Sequence, residues 1–266
     1  MPGLFHLAAY TASLNSATPT KVTPATDQFL QSVVNTNFYA LPEGLKYVLA
    51  HAGIGATISR QRLDAPGMYP VLPEFLNLNV SAEPSNPPNI NEMFEQPLRL
   101  KNGEALAFDS VNAAGGAEQN HVLAWLGYGM MPTDSPPSDL VVRPMRFTGV
   151  ATLVANTWSP VSPSFTYQPP AGVYGIVGMR ASSLGCVAAR IVPQDGGARP
   201  GVIGNDAASD LDFRLFRQGR LGNGQIWATF SDLTPPIFEF LSVSADTAET
   251  IILDVVRLGD RPGAVQ

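Results

Sequence analysis

Charge is scarce in this sequence. Asp, Glu, Lys and Arg make up 14% of its 266 residues, against about 25% in an average soluble domain. A surface with so little charge suits burial against neighbouring chains, so assembly is expected rather than a free monomer. The net charge is −6 and the 16 basic residues are scattered, with no run longer than pairs such as Arg60 and Arg62. Phosphate binding needs clustered Lys and Arg, so sequence-specific nucleic acid is not an expected partner. Cysteine is limited to Cys186, which excludes an intramolecular disulfide. In the run LGCVAARIV that residue reads as a small buried hydrophobe.

Catalytic patterns are also missing. The three histidines are His6, His51 and His121, with no HExxH, His-x-His or Cys–His spacing that would hold zinc. There is no Gly-x-Ser-x-Gly elbow. Gly175, Gly178 and Gly185 sit in strand-like text with no helix following, so they form no phosphate loop. No catalytic residue, cofactor or enzymatic activity is expected. No apolar run reaches the ~18–20 residues of a transmembrane segment. No Lys or Arg precedes Lys21, so the charged start of a signal peptide is not seen.

What the chain does have is 24 prolines and 24 glycines, placed at the ends of short apolar runs. That punctuation belongs to an all-β protein. Residues 1–28, rich in Ala, Ser and Thr without a clear period, read as an extended N-terminal arm. A first antiparallel β-sandwich follows over 29–130, and a Pro-rich linker over 131–143. A second sandwich spans 144–259, and 260–266 is a C-terminal tail. Asn102-Gly103 predicts a type I′ hairpin. Residues 211–218, LDFRLFRQ, allow one or two helical turns.

The two sandwiches echo each other. Tyr39 and Tyr167, Pro42 and Pro170, and Gly44 and Gly172 are each 128 positions apart. Each set leads into an apolar strand, a turn and an arginine-bearing strand. Further on, Phe108 and Phe240, Ser110 and Ser242, and Gly127 and Gly259 are each 132 apart. The small drift needs only short loop insertions, as expected of an internal duplication.

Two places could bind something. Asp206, Asp210 and Asp212, with Asn205, gather oxygen donors within eight residues and form a candidate Ca²⁺ site. They lack the glycine spacing and bidentate Glu of an EF-hand, and an Asx-rich turn capping the 211–218 helix is the preferred account of them. Trp158, flanked by turn residues in NTWSPVSP, is the candidate exposed aromatic for glycan binding. Trp125 and Trp227 lie in apolar strand text and read as core.

Two β-rich halves, a Pro-rich bridge, extended termini, few charges and no active site together resemble jelly-roll viral capsid proteins. The closest resemblance is to a small double jelly-roll major capsid protein of a tailless phage. It covers residues 29–258 and is architectural, carried by no diagnostic motif. It implies two jelly-roll-like sandwiches with terminal arms, and a structural virion protein that self-assembles into the shell. It also implies homo-oligomeric trimeric capsomers, contacts with other virion proteins and assembly in the host cytoplasm. The elements expected at contacts are the arm, the 84–97 loop, the 129–143 bridge and the tail. Each half is short for eight strands plus insertions, which leaves a smaller virion protein open. The alternative is a tandem β-sandwich carbohydrate-binding or adhesin module that uses Trp158. An enzyme with scattered acids is the third class.

Overall fold

The computed structural model describes residues 5–34, 36–55, 57–70, 73–76, 90–93, 96–112, 116–129, 141–194, 196–204, 226–245 and 248–260. The chain divides into two compact units, Phe5–Met130 and Met131–Gln266. The described elements are antiparallel β-strands and a single 3₁₀ turn.

The first unit contains β1 (Phe5–Leu14), β2 (Ser16–Pro24), β3 (Gln31–Ser32), β4 (Tyr39–Ala40), β5 (Tyr47–Ile54) and β6 (Ile58–Asp64). It continues with β7 (Glu74–Leu76), β8 (Asn91–Glu92), β9 (Leu98–Arg99), β10 (Ala105–Asn112) and β11 (Glu118–Gly127). One sheet runs β1-β11-β5, with β8 and β9 both pairing the outer side of β5. The other runs β2-β10-β6-β7. The end of β2 also pairs β1 at Tyr10↔Pro24 and Thr11↔Thr23, so this strand joins the two sheets at a corner.

The second unit contains β12 (Arg143–Gly149), β13 (Ser159–Val161), β14 (Ser164–Phe165), β15 (Val173–Ser182) and β16 (Cys186–Val192). It ends with β17 (Gly201–Ile203), β18 (Ala228–Ser231), β19 (Ile237–Ser242) and β20 (Glu249–Gly259). Its sheets run β14-β12-β20-β15-β18 and β13-β19-β16-β17.

The same order underlies both units. With β8 and β9 taken as one position, and β3, β4 and β14 as additions, each unit has eight strands. These pair as first-eighth-third-sixth and second-seventh-fourth-fifth. That is the jelly-roll arrangement of two facing sheets. The later echoes in the sequence fall on corresponding strands. Phe108 and Ser110 lie on β10 where Phe240 and Ser242 lie on β19, and Gly127 ends β11 as Gly259 ends β20. The arginine-bearing strands also correspond. Arg62 of β6 faces Asp109 of β10, and Arg190 of β16 faces Glu239 of β19.

Local chemistry explains the corners. Gly185 turns the chain from β15 to β16 at φ +69, and an added Cβ would meet Ser244 Oγ at 2.6 Å. Only glycine fits that left-handed position without strain. Asn102-Gly103 does not close a hairpin. Gly103 is left-handed at φ +68, yet β9 pairs β5 while β10 pairs β2, β4 and β6. Asn102 Oδ1 instead accepts the Gly44 N–H at 2.9 Å, and its amide donates to Glu43.

The arm over residues 1–28 is corrected by the pairing. Residues 5–14 form a ten-residue ladder with β11, and 16–24 pair β10. Phe5 to Tyr10 are buried at every position, and a strand buried on both faces shows no period of two. The first core gathers Tyr10, Tyr39, Leu63, Leu106, Phe108 and Leu126 among others. Tyr10 meets Tyr39 and Phe108 edge-on at 5.0 and 5.2 Å. The Tyr10 hydroxyl donates to Leu106 O at 2.9 Å, and that of Tyr39 reaches the carbonyls of Ala9 and Ala25. In the second unit Phe147, Phe165, Phe230 and Tyr174 form an aromatic cluster with centroids 5.1–6.2 Å apart.

Two buried histidines make stability depend on pH. His51 stacks on Phe108 at 5.4 Å, and His121 lies on β11 with neither ring nitrogen bonded to protein. Burial lowers each pKa to about 4, a side-chain hydrogen bond with Gln61 opposing this in part at His51. The unfolded chain takes up these protons near pH 6.5 and the folded chain only near 4. Stability is therefore full above about 6.5, falls as the pH drops towards 4, and levels off below. The fall is roughly 3 kcal/mol per histidine at most. Urea unfolding at pH 7 and pH 4.5 should show it, and His121→Leu should remove about half of the histidine contribution. An equal pH response in wild type and variant would contradict the assignment.

Candidate functional site

The second unit carries a groove of about 650 Å³, within the size range of small-ligand sites. Three elements line it: β12 with Arg143 to Arg146, β20 with Val255 and Arg257, and the Tyr167–Pro170 segment running towards Tyr174 of β15. Proline at 169 and 170 keeps that segment extended and out of the ladders.

The segment is fastened on several sides. Tyr174 Oη donates to Pro170 O at 2.6 Å, and Gln168 Nε2 donates to Asp232 O at 2.7 Å. Asp232 Oδ1 accepts the Gly172 N–H at 3.0 Å, and Arg257 donates to Ala171 O at 2.8 Å. Burial raises the Tyr174 pKa above its usual value, with the Arg257 charge pulling the other way. The Tyr167 ring is 81% exposed on this held segment.

The groove is electropositive in an acidic protein. Arg143, Arg146 and Arg257 line it, and no Asp or Glu does among the described residues. Arg257 is paired with Asp260 at 2.5 Å, and Arg143 makes no ion pair among the described residues. The arrangement offers guanidinium groups, one exposed aromatic face and apolar proline walls. That can bind an anion with a nonpolar face.

The residues singled out in the sequence lie elsewhere. Trp158, the expected exposed aromatic, is 6% exposed and packs under the Arg190 guanidinium at 4.0 Å. Its turn-rich flanks suggested the surface, but Arg190, fully buried, needs a π-face to lie against. Asp206, Asp210 and Asp212 lie outside the described residues, as does the 211–218 helix. Most of the 84–97 loop and of the 129–143 bridge, and the tail beyond Asp260, also lie outside them. His6 pairs with Asp27 at 3.1 Å, His51 with Asn91, and the buried Cys186 thiol donates to Ala188 O at 3.8 Å. No group of three His, Cys, Asp or Glu that could hold a metal occurs among the described residues. No helix among them is long and apolar enough to cross a membrane.

Sequence reasoning missed Tyr167 although it marked the residue as the echo of Tyr39. The two differ in place. Tyr39 sits on a strand paired with β10 and is buried, whereas Tyr167 follows a strand paired with β12 and faces solvent. The Gln-Pro-Pro that follows Tyr167 was the available signal, since it cannot continue a central strand.

No family model matches the chain, and no curated protein matches it. Among solved structures it is similar to the major capsid protein P2 from Bacteriophage PM2. The identity is 12% and the TM-score 0.25, over 96% of this chain and 100% of that one. The fold assignment rests on the strand order given above and not on this likeness.

Proposed function

We propose that the chain is a structural virion protein, the self-assembling major capsid subunit of a viral shell. The observation that carries this reading is the tandem repetition of one eight-strand order in a single subunit. Jelly rolls of this order serve in viral shells, and a doubled one gives each copy two similar sets of flanks. Three copies then offer six such flanks to a capsomer, and closed symmetry does the rest. The surface suits close packing. Charged residues are 14% of the chain, and Val150, Val154, Leu184, Leu233 and Ile237 of the second unit are exposed. Few charges mean little desolvation cost when copies meet. The partners are further copies of the chain and other virion proteins, with assembly in the host cytoplasm and residence in the virion.

Light scattering on the eluting protein, with electron microscopy, tests this. Trimers or closed particles are expected, and they should persist at 1 M salt because apolar contacts are not screened. A 28.3 kDa monomer at micromolar concentration would overturn the reading.

A further inference from the structure

We propose that the Arg143–Tyr167–Arg257 groove binds a short acidic oligosaccharide, one whose sugars carry carboxylates. The inference holds whether or not the chain assembles, because every lining residue belongs to the second unit. Three observations lead to it. Among the described residues the lining holds three arginines and no acid, in a chain of net charge −6. Guanidinium groups meet carboxylates through paired hydrogen bonds, a geometry that lysine does not offer. Asp260 offsets the charge of Arg257 by pairing with it, whereas Arg143, exposed at the β12 side, makes no ion pair among the described residues.

The second observation is Tyr167. A large ring left 81% exposed contributes nothing to the core, yet its segment is tied down by the hydrogen bonds to Asp232, Pro170 and Ala171. A backbone segment held before the ligand arrives loses little freedom on binding. Its flat apolar face matches the nonpolar face of a pyranose ring, and Pro169 and Pro170 extend that surface. The third observation is size. About 650 Å³ accommodates two or three sugar units and not a folded partner.

A nucleic-acid strand fits these features less well. Its affinity rises with the number of phosphates neutralised, and beyond three arginines a long polyanion meets a protein of net charge −6. A short acidic sugar feels mainly the local field of the groove.

The test uses the full chain and titration calorimetry at 0.15 M salt. The probes are trigalacturonate, its neutral methyl ester, 3′-sialyllactose, lactose and a dT10 oligonucleotide. At least one acidic sugar is expected to bind, with its neutral counterpart at least tenfold weaker. Tyr167→Ala and Arg143→Gln should each weaken binding about tenfold, and Tyr167→Phe should retain it. Both positions are exposed, so unfolding temperatures should match wild type and a lost signal can be read as lost contact. The proposal is overturned if neither acidic sugar binds at millimolar concentration, or if neutral sugars bind equally well. It is also overturned if dT10 binds more tightly than the sugars, or if Tyr167→Ala and Arg143→Gln leave the affinity unchanged.

Discussion

Replacing Glu239 with alanine is expected to lower the unfolding free energy of the second unit by about 3–5 kcal/mol. Glu239 lies on β19 directly opposite Arg190 of β16. Its Oε2 accepts from Arg190 Nε at 2.6 Å, and Oε1 accepts from Arg199. Arg190 is fully buried and Arg199 nearly so. Neither guanidinium is open to water, so removing the carboxylate takes from two buried charges the acid they share. Against a domain stability of ~5–15 kcal/mol, that loss removes a large share of the margin. The corresponding change in the first unit, Asp109→Ala, should cost less, about 1–2 kcal/mol. Its partners Lys21 and Arg62 have side chains 29% and 32% exposed and can be rehydrated. Urea unfolding followed by tryptophan fluorescence reads this, because Trp158 stacks on Arg190. A Glu239→Ala protein within 1 kcal/mol of wild type would show that water reaches these arginines.

That acid–arginine pair also shows how far the sequence could be read. The all-β class, two halves and their offset were legible because proline and glycine mark strand ends and the echoes recur at nearly constant spacing. The arginine-bearing strands were visible too. Their opposing acids were not, since Asp109 and Glu239 lie 47 and 49 positions from their partners and pairing between neighbouring strands leaves no local trace. The Asn102-Gly103 turn misled for a related reason. Its backbone adopts the expected left-handed glycine, but the flanking strands join different neighbours, a choice set by the whole fold. Trp158 and Tyr167 exchanged environments because flanking turn residues report on the backbone and not on what covers the ring. The groove is built from β12, β20 and the Tyr167 segment, more than 100 positions apart at the extremes, so only the folded chain brings its arginines together.

Deleting residues 2–20 is expected to abolish folding of the first unit. A truncation of a free arm would leave a folded subunit, but β1 is the partner of β11 over ten residues, from Phe5↔Gly127 to Leu14↔Glu118. The deletion removes Phe5, Leu7 and Tyr10, each fully buried, and burial of such side chains contributes roughly 1.5–3 kcal/mol apiece. It also removes Ala8 and Ala9, the ladder to β11 and the part of β2 that pairs β10 at Ser16 and Thr20. Tyr39 loses the Ala9 carbonyl, and Phe108 loses its edge contact with Tyr10. These terms together match the ~5–15 kcal/mol that holds a whole domain. β11 would be left with an unpaired apolar edge, a template for aggregation. Hydrogen exchange with mass spectrometry gives the measurement: amides of β5, β10 and β11 should lose protection in the truncated chain. Removing residues 2–4 alone should leave that protection intact, since the β1 ladder begins at Phe5. If the 2–20 deletion kept wild-type protection in β11, then β1 would be dispensable and its pairing would have to form only on assembly.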